Sequence, residues 1–376
     1  MSKIPVIICG GHFSPALALI ESLSGISNID LYYLGSKFSL SLEKTASFEY
    51  RQISKLDLTY LPLTSSKFNR FFSFELFLSL FKLPLVFIQS LNYLIRLKPK
   101  LIVSFGSYIS LPICILAYFF RIPVIAHEQT RVMGLSNRVI SFFAKTVCLT
   151  FDDTKKVPQR TKTVTVGILL RNSILKPTQT GITRFGKKNF PLIYITGGSQ
   201  GSVSINSVIY KLITRLVNNF RVIHVCGQSL NNFDYHRFSK LRLSFNPRNR
   251  ENYYLAPFLD YNLVGEVLKN SDLVISRAGA NSIAEIAFYG KKSILIPLPW
   301  AAENEQYENA IFLKNLGLAK IIDQRNLNSD TLYDSILEIL NIAQISSYKF
   351  NIIRNKLDGR EKFARIVKSQ IGIQLE

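Results

Sequence analysis

Several loops of this chain hold residue types able to bind phosphate, grip sugar hydroxyls or move a proton. The richest lies between Leu273 and Asn309, LVISRAGANSIAEIAFYGKKSILIPLPWAAENEQYEN. An apolar run, a glycine-centred turn, a helical pattern, a second apolar run and an acid- and amide-rich helix start follow one another. In an α/β protein this order reads strand, loop, helix, strand, loop, helix. Both polar loops then fall at the carboxyl ends of parallel strands, where ligands bind. In the turn Arg277-Ala278-Gly279-Ala280, Gly279 permits positive φ and close approach to a ligand, and Asn281 or Ser282 can cap the helix. The amides of that helix start, at the positive end of its dipole, suit a phosphate. Glu285 lies about one turn in, where a carboxylate accepts hydrogen bonds from vicinal hydroxyls such as a ribose diol. The plain alternative is an ordinary capped turn with a solvated Glu.

Three further places carry chemistry. His12 follows Gly10 and Gly11 at the end of the first apolar run. An imidazole there is suited to contacting phosphate or moving a proton, although a simple loop residue reads equally well. His127-Glu128-Gln129-Thr130 ends another run and offers hydrogen bonds to a polar substrate or between loops. Gly197-Gly198-Ser199-Gln200-Gly201-Ser202 follows a strand of the second half. Arg171, in a basic stretch, is either a phosphate grip at the mouth of an interdomain cleft or a solvated linker residue.

The elements positioning these residues follow from length and pattern. At 376 residues the chain is too long for one ordinary core, and two domains are expected. Short strands Pro5 to Ile8, Asp30 to Gly35 and Phe48 to Ser54 open the first half, with Ser14 capping a helix from Pro15. Each half places a glycine turn after its first strand, so two Rossmann-like domains facing each other are expected. Residues 1–160 form the first domain, 161–190 a linker of poor periodicity, 191–345 the second domain, and 346–376 a helical tail packing back toward the first. Residues 101–120 carry no charge, yet Ser104, Gly106, Ser107, Ser110 and Pro112 interrupt them. A strand, a turn and a buried helix fit better than a membrane span.

Charge narrows the partners. The 46 Lys and Arg against 25 Asp and Glu give +21, which favours polyanions, acidic membranes or phosphorylated substrates. No nucleic-acid module is recognisable. From Ser65 to Lys100, Phe, Leu and Ile crowd beside Lys67, Arg70, Lys82, Arg96, Lys98 and Lys100, with Glu75 the one acid. Pro84 is expected to break or kink this stretch into two helices. An interfacial helix on anionic lipid explains the composition, and burial against the sheet is the competing reading. Cys9, Cys114, Cys148 and Cys226 are scattered in apolar stretches without zinc spacing and read as reduced core thiols. The amino terminus enters a strand at once, so secretion is not expected.

No Walker A loop, GxGxxG or Asp-x-Asp occurs. Helix N-termini, Arg and scarce bases fit metal-free transfer from a nucleotide sugar. The segments GGHFSPALAL, SFGSYISLP, IPVIAHEQTRVMGLSNR, VGILLR, GGSQGS, DLVISRAGANSIAEI and ILIPLPWAAENEQYENA resemble, in this order, the MurG family of peptidoglycan N-acetylglucosaminyltransferases. The resemblance implies a GT-B fold of two Rossmann-like parallel-sheet domains across a cleft. It implies inverting transfer from UDP-N-acetylglucosamine to lipid I, at the cytoplasmic face of the cell membrane. It adds no cofactor and no metal, and other cell-wall synthesis proteins as further partners. It assigns Arg171, Ser199, Gln200, Gly201, Arg277, Gly279, Ala280, Asn281, Ser282, Glu285 and Gln306 to the nucleotide sugar, with Glu285 on the ribose and the backbone of Leu259 at the uracil. Gly10, Gly11, Glu128 and Thr130 line the acceptor side, Asn309 supports the sugar loop, and His12 is the base with Glu128 the competitor. The chain departs from the family in a first glycine loop about two residues shorter, in Thr130 after HEQ, in VGILLR and in Trp300. A glycolipid synthase of similar fold, or a catalytically weakened membrane-bound scaffold, are the alternatives.

Overall fold

The computed structural model describes residues 3–38, 47–56, 58–64, 74–198, 200–342 and 358–373. Contacts divide the chain into two compact units, Met1–Arg171 with Asp358–Glu376, and Asn172–Leu357.

In unit 1 the described residues run β1 (Ile4–Cys9), α1 (Phe13–Leu23), β2 (Ile29–Ser36), α2 (Phe48–Ile53), β3 (Thr59–Leu63), α3 (Phe74–Leu97), β4 (Leu101–Ser104), α4 (Leu111–Phe119), β5 (Val124–Glu128), α5 (Leu135–Ile140), β6 (Thr146–Leu149) and β7 (Thr163–Thr165). They make one parallel sheet in the order β3-β2-β1-β4-β5-β6-β7. β4 and β5 are buried at every residue, as strands covered on both faces must be. Strand order reverses between β1 and β4, where Cys9 lies opposite both Leu34 and Ser104. Connections leave in opposite directions there, and the carboxyl ends of those strands open a crevice.

Two local readings are corrected. Residues 48–53 form a helix rather than a strand, because Ser47 caps it by accepting from the Tyr50 amide at 3.1 Å, with Glu49 in the first turn and Arg51 in the last. Pro84 does not divide its segment, since α3 runs through it as one helix. A proline costs one helical hydrogen bond, and burial of Val86, Ser90 and Leu94 at helical spacing holds the part that follows. Residues 101–120 are β4, a turn and α4, and among the described residues no helix is long and apolar enough to cross a membrane. Lys67 and Arg70 lie outside the described residues. All four cysteines are buried and unpaired by disulfides.

Unit 2 runs α6 (Asn172–Leu175), β8 (Leu192–Thr196), α7 (Val203–Val217), β9 (Arg221–Val225), α8 (Ser229–Leu243), α9 (Pro247–Glu251), β10 (Tyr253–Ala256), α10 (Tyr261–Asn270), β11 (Leu273–Ser276), α11 (Ala280–Tyr289), β12 (Lys292–Leu295), α12 (Glu305–Asn315), β13 (Ala319–Ile321) and α13 (Ser329–Asn341). The sheet is again parallel, β10-β9-β8-β11-β12-β13, with its reversal between β8 and β11. Ile193, Ile195, Leu273, Ile275 and Ile294 of the sheet pack with Ile209, Leu212 and Ile213 of α7 in its core.

Residues 161–190 are shared between the units. β7 joins the first sheet, whereas Thr180 and Gly181 donate backbone amides to Glu266 of α10. The last helix, α14 (Arg360–Gln370), packs on α1 in unit 1. Arg360 donates to Ser22 at 2.5 Å and pairs with Glu21 at 3.5 Å, and Phe363 is buried against Phe105 and His127.

Each unit also buries a histidine. Burial depresses His127 and His224 to about 3, and for His127 the neighbouring His12 charge adds to the effect. A folded-state value below the unfolded one, near 6.5, means stability is whole above 6.5 and is lost as pH falls toward 3. Between pH 7 and 5.5 each unit is expected to lose about 1 kcal/mol from its histidine. Urea midpoints of the two transitions measure this, and His224→Gln should flatten the pH slope of the second alone.

Candidate functional site

In unit 2 the polar loops gather at the carboxyl ends of β8 and β11, on either side of the strand-order reversal. After β8, Gly198 and Gly201 take φ of 87° and 81°, backbone that suits glycine. Gly201 crosses the loop after β9, and a Cβ there would sit 2.2 Å from the carbonyl oxygen of Cys226. Ser202 caps α7 by accepting from the Ile205 amide at 3.4 Å. Gln200 is exposed at the turn, and Ser199 lies outside the described residues.

After β11, Gly279 is itself the N-cap of α11, with φ −66° and ψ 148° and no side-chain cap bond. Gly279 does not use the positive φ open to it, and the capping by Asn281 or Ser282 is corrected. The helix starts at Ala280, so both residues stand within its first turn, and an uncapped start presents its amides to an anion. Glu285 is buried farther along α11. Arg277 is spent within the protein. Its Nη1 donates to the carbonyl of Ile296 at 3.0 Å, and its Nη2 lies 2.8, 2.7 and 2.6 Å from Ser202 Oγ, Ser204 Oγ and Gln324 Oε1. Burial lowers its basicity from the ordinary value, and the guanidinium ties three loops together. Gln306 accepts from the Leu298 amide at 3.0 Å, and Asn309, buried on α12, donates to the Ala278 carbonyl at 3.4 Å. Glu303 and Asn304 ahead of α12 hold left-handed φ of 55° and 57°, which non-glycine residues keep only where surroundings enforce it. Leu259 is buried in the loop after β10, just before the Asp260 cap of α10. Trp300 is exposed.

In unit 1 the loops after β1, β4 and β5 interlock. Gly10, at φ 136°, abuts the loop after β4, where a Cβ would lie 2.8 Å from the Phe105 carbonyl carbon. A Cβ on Gly11 would meet Ser107. His12 is the N-cap of α1, which begins at Phe13, so Ser14 sits inside the first turn rather than capping it. His12 Nδ1 lies 2.6 Å from Gln129 Nε2. Desolvation holds the imidazole below its ordinary value, against the opposing charges of Glu128 and Glu49. Glu128 accepts from the amides of Thr130 at 2.9 Å and Gly134 at 3.0 Å and from Asn137 Nδ2 at 2.9 Å, with Thr130 Oγ1 at 2.7 Å. Arg171 is buried, its Nη1 donating to Ser14 Oγ at 2.8 Å. The solvated linker reading is thus corrected.

Sequence reasoning missed Gln129 as the partner of His12, and Asn137, Ser204, Gln324 and Gly227 altogether. Gly227 alone had a local signal, a glycine just past an apolar strand. Gln129, Ser204 and Gln324 act through partners distant in sequence, and Asn137 through the strand end nine and ten residues before it.

Two Rossmann-like units with glycine loops at both reversals of strand order define a glycosyltransferase of the GT-B class. Residues 8–149 match the glycosyltransferase family 28 N-terminal domain, and residues 192–363 the family 28 C-terminal domain. A Treponema denticola protein named UDP-N-acetylglucosamine–N-acetylmuramyl-(pentapeptide) pyrophosphoryl-undecaprenol N-acetylglucosamine transferase is 33% identical over 338 residues, 88% of this chain and 85% of that protein. A Clostridium botulinum (strain Langeland) protein of the same name is 31% identical over 362 residues, 95% and 96% of the two chains. The crystal structure of Acinetobacter baumannii MurG has the same fold, with a TM-score of 0.70 and 24% identity over 98% of this chain and 100% of that one. The chain belongs to the MurG family.

Proposed function

We propose that the protein transfers N-acetylglucosamine from UDP-N-acetylglucosamine to lipid I, undecaprenyl-diphospho-N-acetylmuramoyl-pentapeptide, giving lipid II with inversion and without a metal. What supports this reading is the uncapped start of α11 beside the glycine loop of β8, in a chain whose relatives carry that transferase name. Unit 2 holds the donor: amides of α7 and α11 meet the diphosphate, Glu285 the ribose, and the Leu259 backbone the uracil. Arg277 acts indirectly, as the strut of that pocket, while Gln306 and Asn309 hold the sugar loop. Unit 1 holds the acceptor around Gly10, Gly11 and Thr130, with Arg171 steadying the start of α1.

In the reaction the acceptor oxygen attacks the anomeric carbon from the face opposite the diphosphate. The carbon–oxygen bond to the leaving group breaks, its electron pair staying on the β-phosphate oxygen. The acceptor proton passes to His12. Glu128, whose oxygens already accept hydrogen bonds, serves as the clamp of its loop instead of a second base. A base at His12 Nε2 needs the proton at Nδ1, and Gln129 then accepts it through Oε1. Amide oxygen and nitrogen exchange places without a change of shape. Gln129→Leu is expected to lower kcat roughly tenfold, the worth of one hydrogen bond, with KM for the donor little changed in steady-state kinetics.

Attachment is peripheral, to anionic lipid at the cytoplasmic face, through the stretch 65–100. Leu85, Ile88 and Ile95 on α3, with Tyr118 and Phe119 on α4, present apolar side chains to solvent beside Arg96 and Lys98. The deciding experiment incubates the purified protein with UDP-N-acetylglucosamine and a lipid I analogue. Disaccharide-lipid product is expected, and its absence in every detergent and lipid mixture would overturn the reading.

A further inference from the structure

The charge of unit 2 is divided. From Lys176 to Arg250 there are twelve Lys and Arg and one acid, Asp234, whereas residues 251–342 hold seven bases and twelve acids. Asp234 is turned inward, accepting from Asn206 Nδ2 at 2.7 Å. Several of these bases gather on one surface. Arg221, at the start of β9, donates to the carbonyls of Phe190 and Thr183 at 3.0 and 3.1 Å. Lys187 and Arg248 both lie over the Phe190 ring. Arg250 donates to the carbonyl of Leu243 at 2.8 Å, which joins α9 to the last turn of α8. These residues cluster near the amino ends of β8, β9 and β10, away from the strand ends that carry the glycine loops.

α8 adds an apolar component. Its inner face packs Phe238, Tyr235 and Leu241 on the core. The outer face exposes Phe233, His236, Lys240 and Leu243, at helical spacings of three and four residues, with Phe233 58% and Leu243 71% exposed. A nucleic acid or an acidic peptide would satisfy the bases and leave both apolar side chains in water. A lipid surface takes both kinds of group, acyl chains receiving Phe233 and Leu243 while phosphates meet Lys240, Arg242, Arg248 and Arg250.

We propose that α8 and α9 form a second lipid-contacting face, on the donor unit, selective for anionic headgroups and separate from the apolar surface of α3 and α4. It rests on the reading that the enzyme works at a membrane, and assigns unit 2 its own contact there.

The test uses the full chain with an environment-sensitive fluorophore on Leu243→Cys, the four native cysteines being buried. A second preparation carries the label on Ile88→Cys in α3. Both are mixed with phosphatidylcholine vesicles, with or without phosphatidylglycerol. The label at position 243 is expected to shift blue and to be quenched by brominated acyl chains on the anionic vesicles alone, and less so at high salt. Replacing Lys240 and Arg242 together by glutamine should weaken vesicle binding by more than about tenfold. A label at 243 that stays aqueous while the one at 88 shifts overturns this inference and leaves membrane attachment standing. If both stay aqueous, both fail. A shift with heparin or an acidic peptide but none with vesicles also overturns it.

Discussion

His12→Gln is expected to lower kcat by about two to four orders of magnitude, the usual worth of a positioned general base, while UDP-N-acetylglucosamine still binds. The proposed donor site is in unit 2, and His12 is a residue of unit 1, so the two effects should separate in one variant. The pH profile sharpens the point. Desolvation holds the imidazole below its ordinary 6.5, against the charges of Glu128 and Glu49. With His12 as the proposed base, the neutral ring is the active form, so activity should be kept above its pKa and lost as pH falls through it. The acid limb of kcat/KM should therefore lie below 6.5. Removing a charge that raises the value, as in Glu128→Gln, should move the limb lower still. Full turnover by His12→Gln, with the same acid limb, would assign the proton to another group.

Gly201→Ala should weaken donor binding by roughly a hundredfold while unit 1 stays folded. At Gly201 a Cβ would stand 2.2 Å from the Cys226 carbonyl oxygen and 2.9 Å from Gly227 Cα, and φ is already 81°. Both obstacles are backbone, so the loop after β8 must shift bodily. A displacement near 1 Å in a binding loop costs roughly a hundredfold, and the overpacking takes about 1–3 kcal/mol from unit 2. Gly198→Ala is the matched control. It has φ 87° but nothing within 4 Å of the added carbon, so it bears only the left-handed strain of about 1–2 kcal/mol. Calorimetric titration with UDP-N-acetylglucosamine and urea unfolding of both variants give the comparison. Equal loss of binding in the two would mean that conformation, and not the crossing with Gly227, shapes the loop.

Much of the architecture was legible because its signals are local. β11 and β8 coincide with the apolar runs expected for them, and the glycine turns after β1 and β8 fall where strand syntax placed them. Local competition caused the misreadings. Residues 48–53 alternate well enough for a strand, yet the Ser47 cap and the charges of the helix ends outweigh that pattern. Gly279 was read through its freedom of φ, whereas its use is to start a helix without a side chain over the amides.

By itself the sequence determined the class of fold and the loops that matter, since hydrophobic period, turn residues and helix starts act over a few neighbouring residues. Only the tertiary structure decided which polar groups the protein consumes and which it offers. His12 meets Gln129 across 117 positions, Arg277 meets Ser202 across 75, and Arg171 meets Ser14 across 157. Such pairings depend on which strand ends lie side by side, and strand order is set by the packing of whole sheets. Hence the local sequence around Arg277 and Glu128 does not show that Arg277 bonds to Ser202, Ser204 and Gln324, or that Glu128 accepts from Thr130, Gly134 and Asn137.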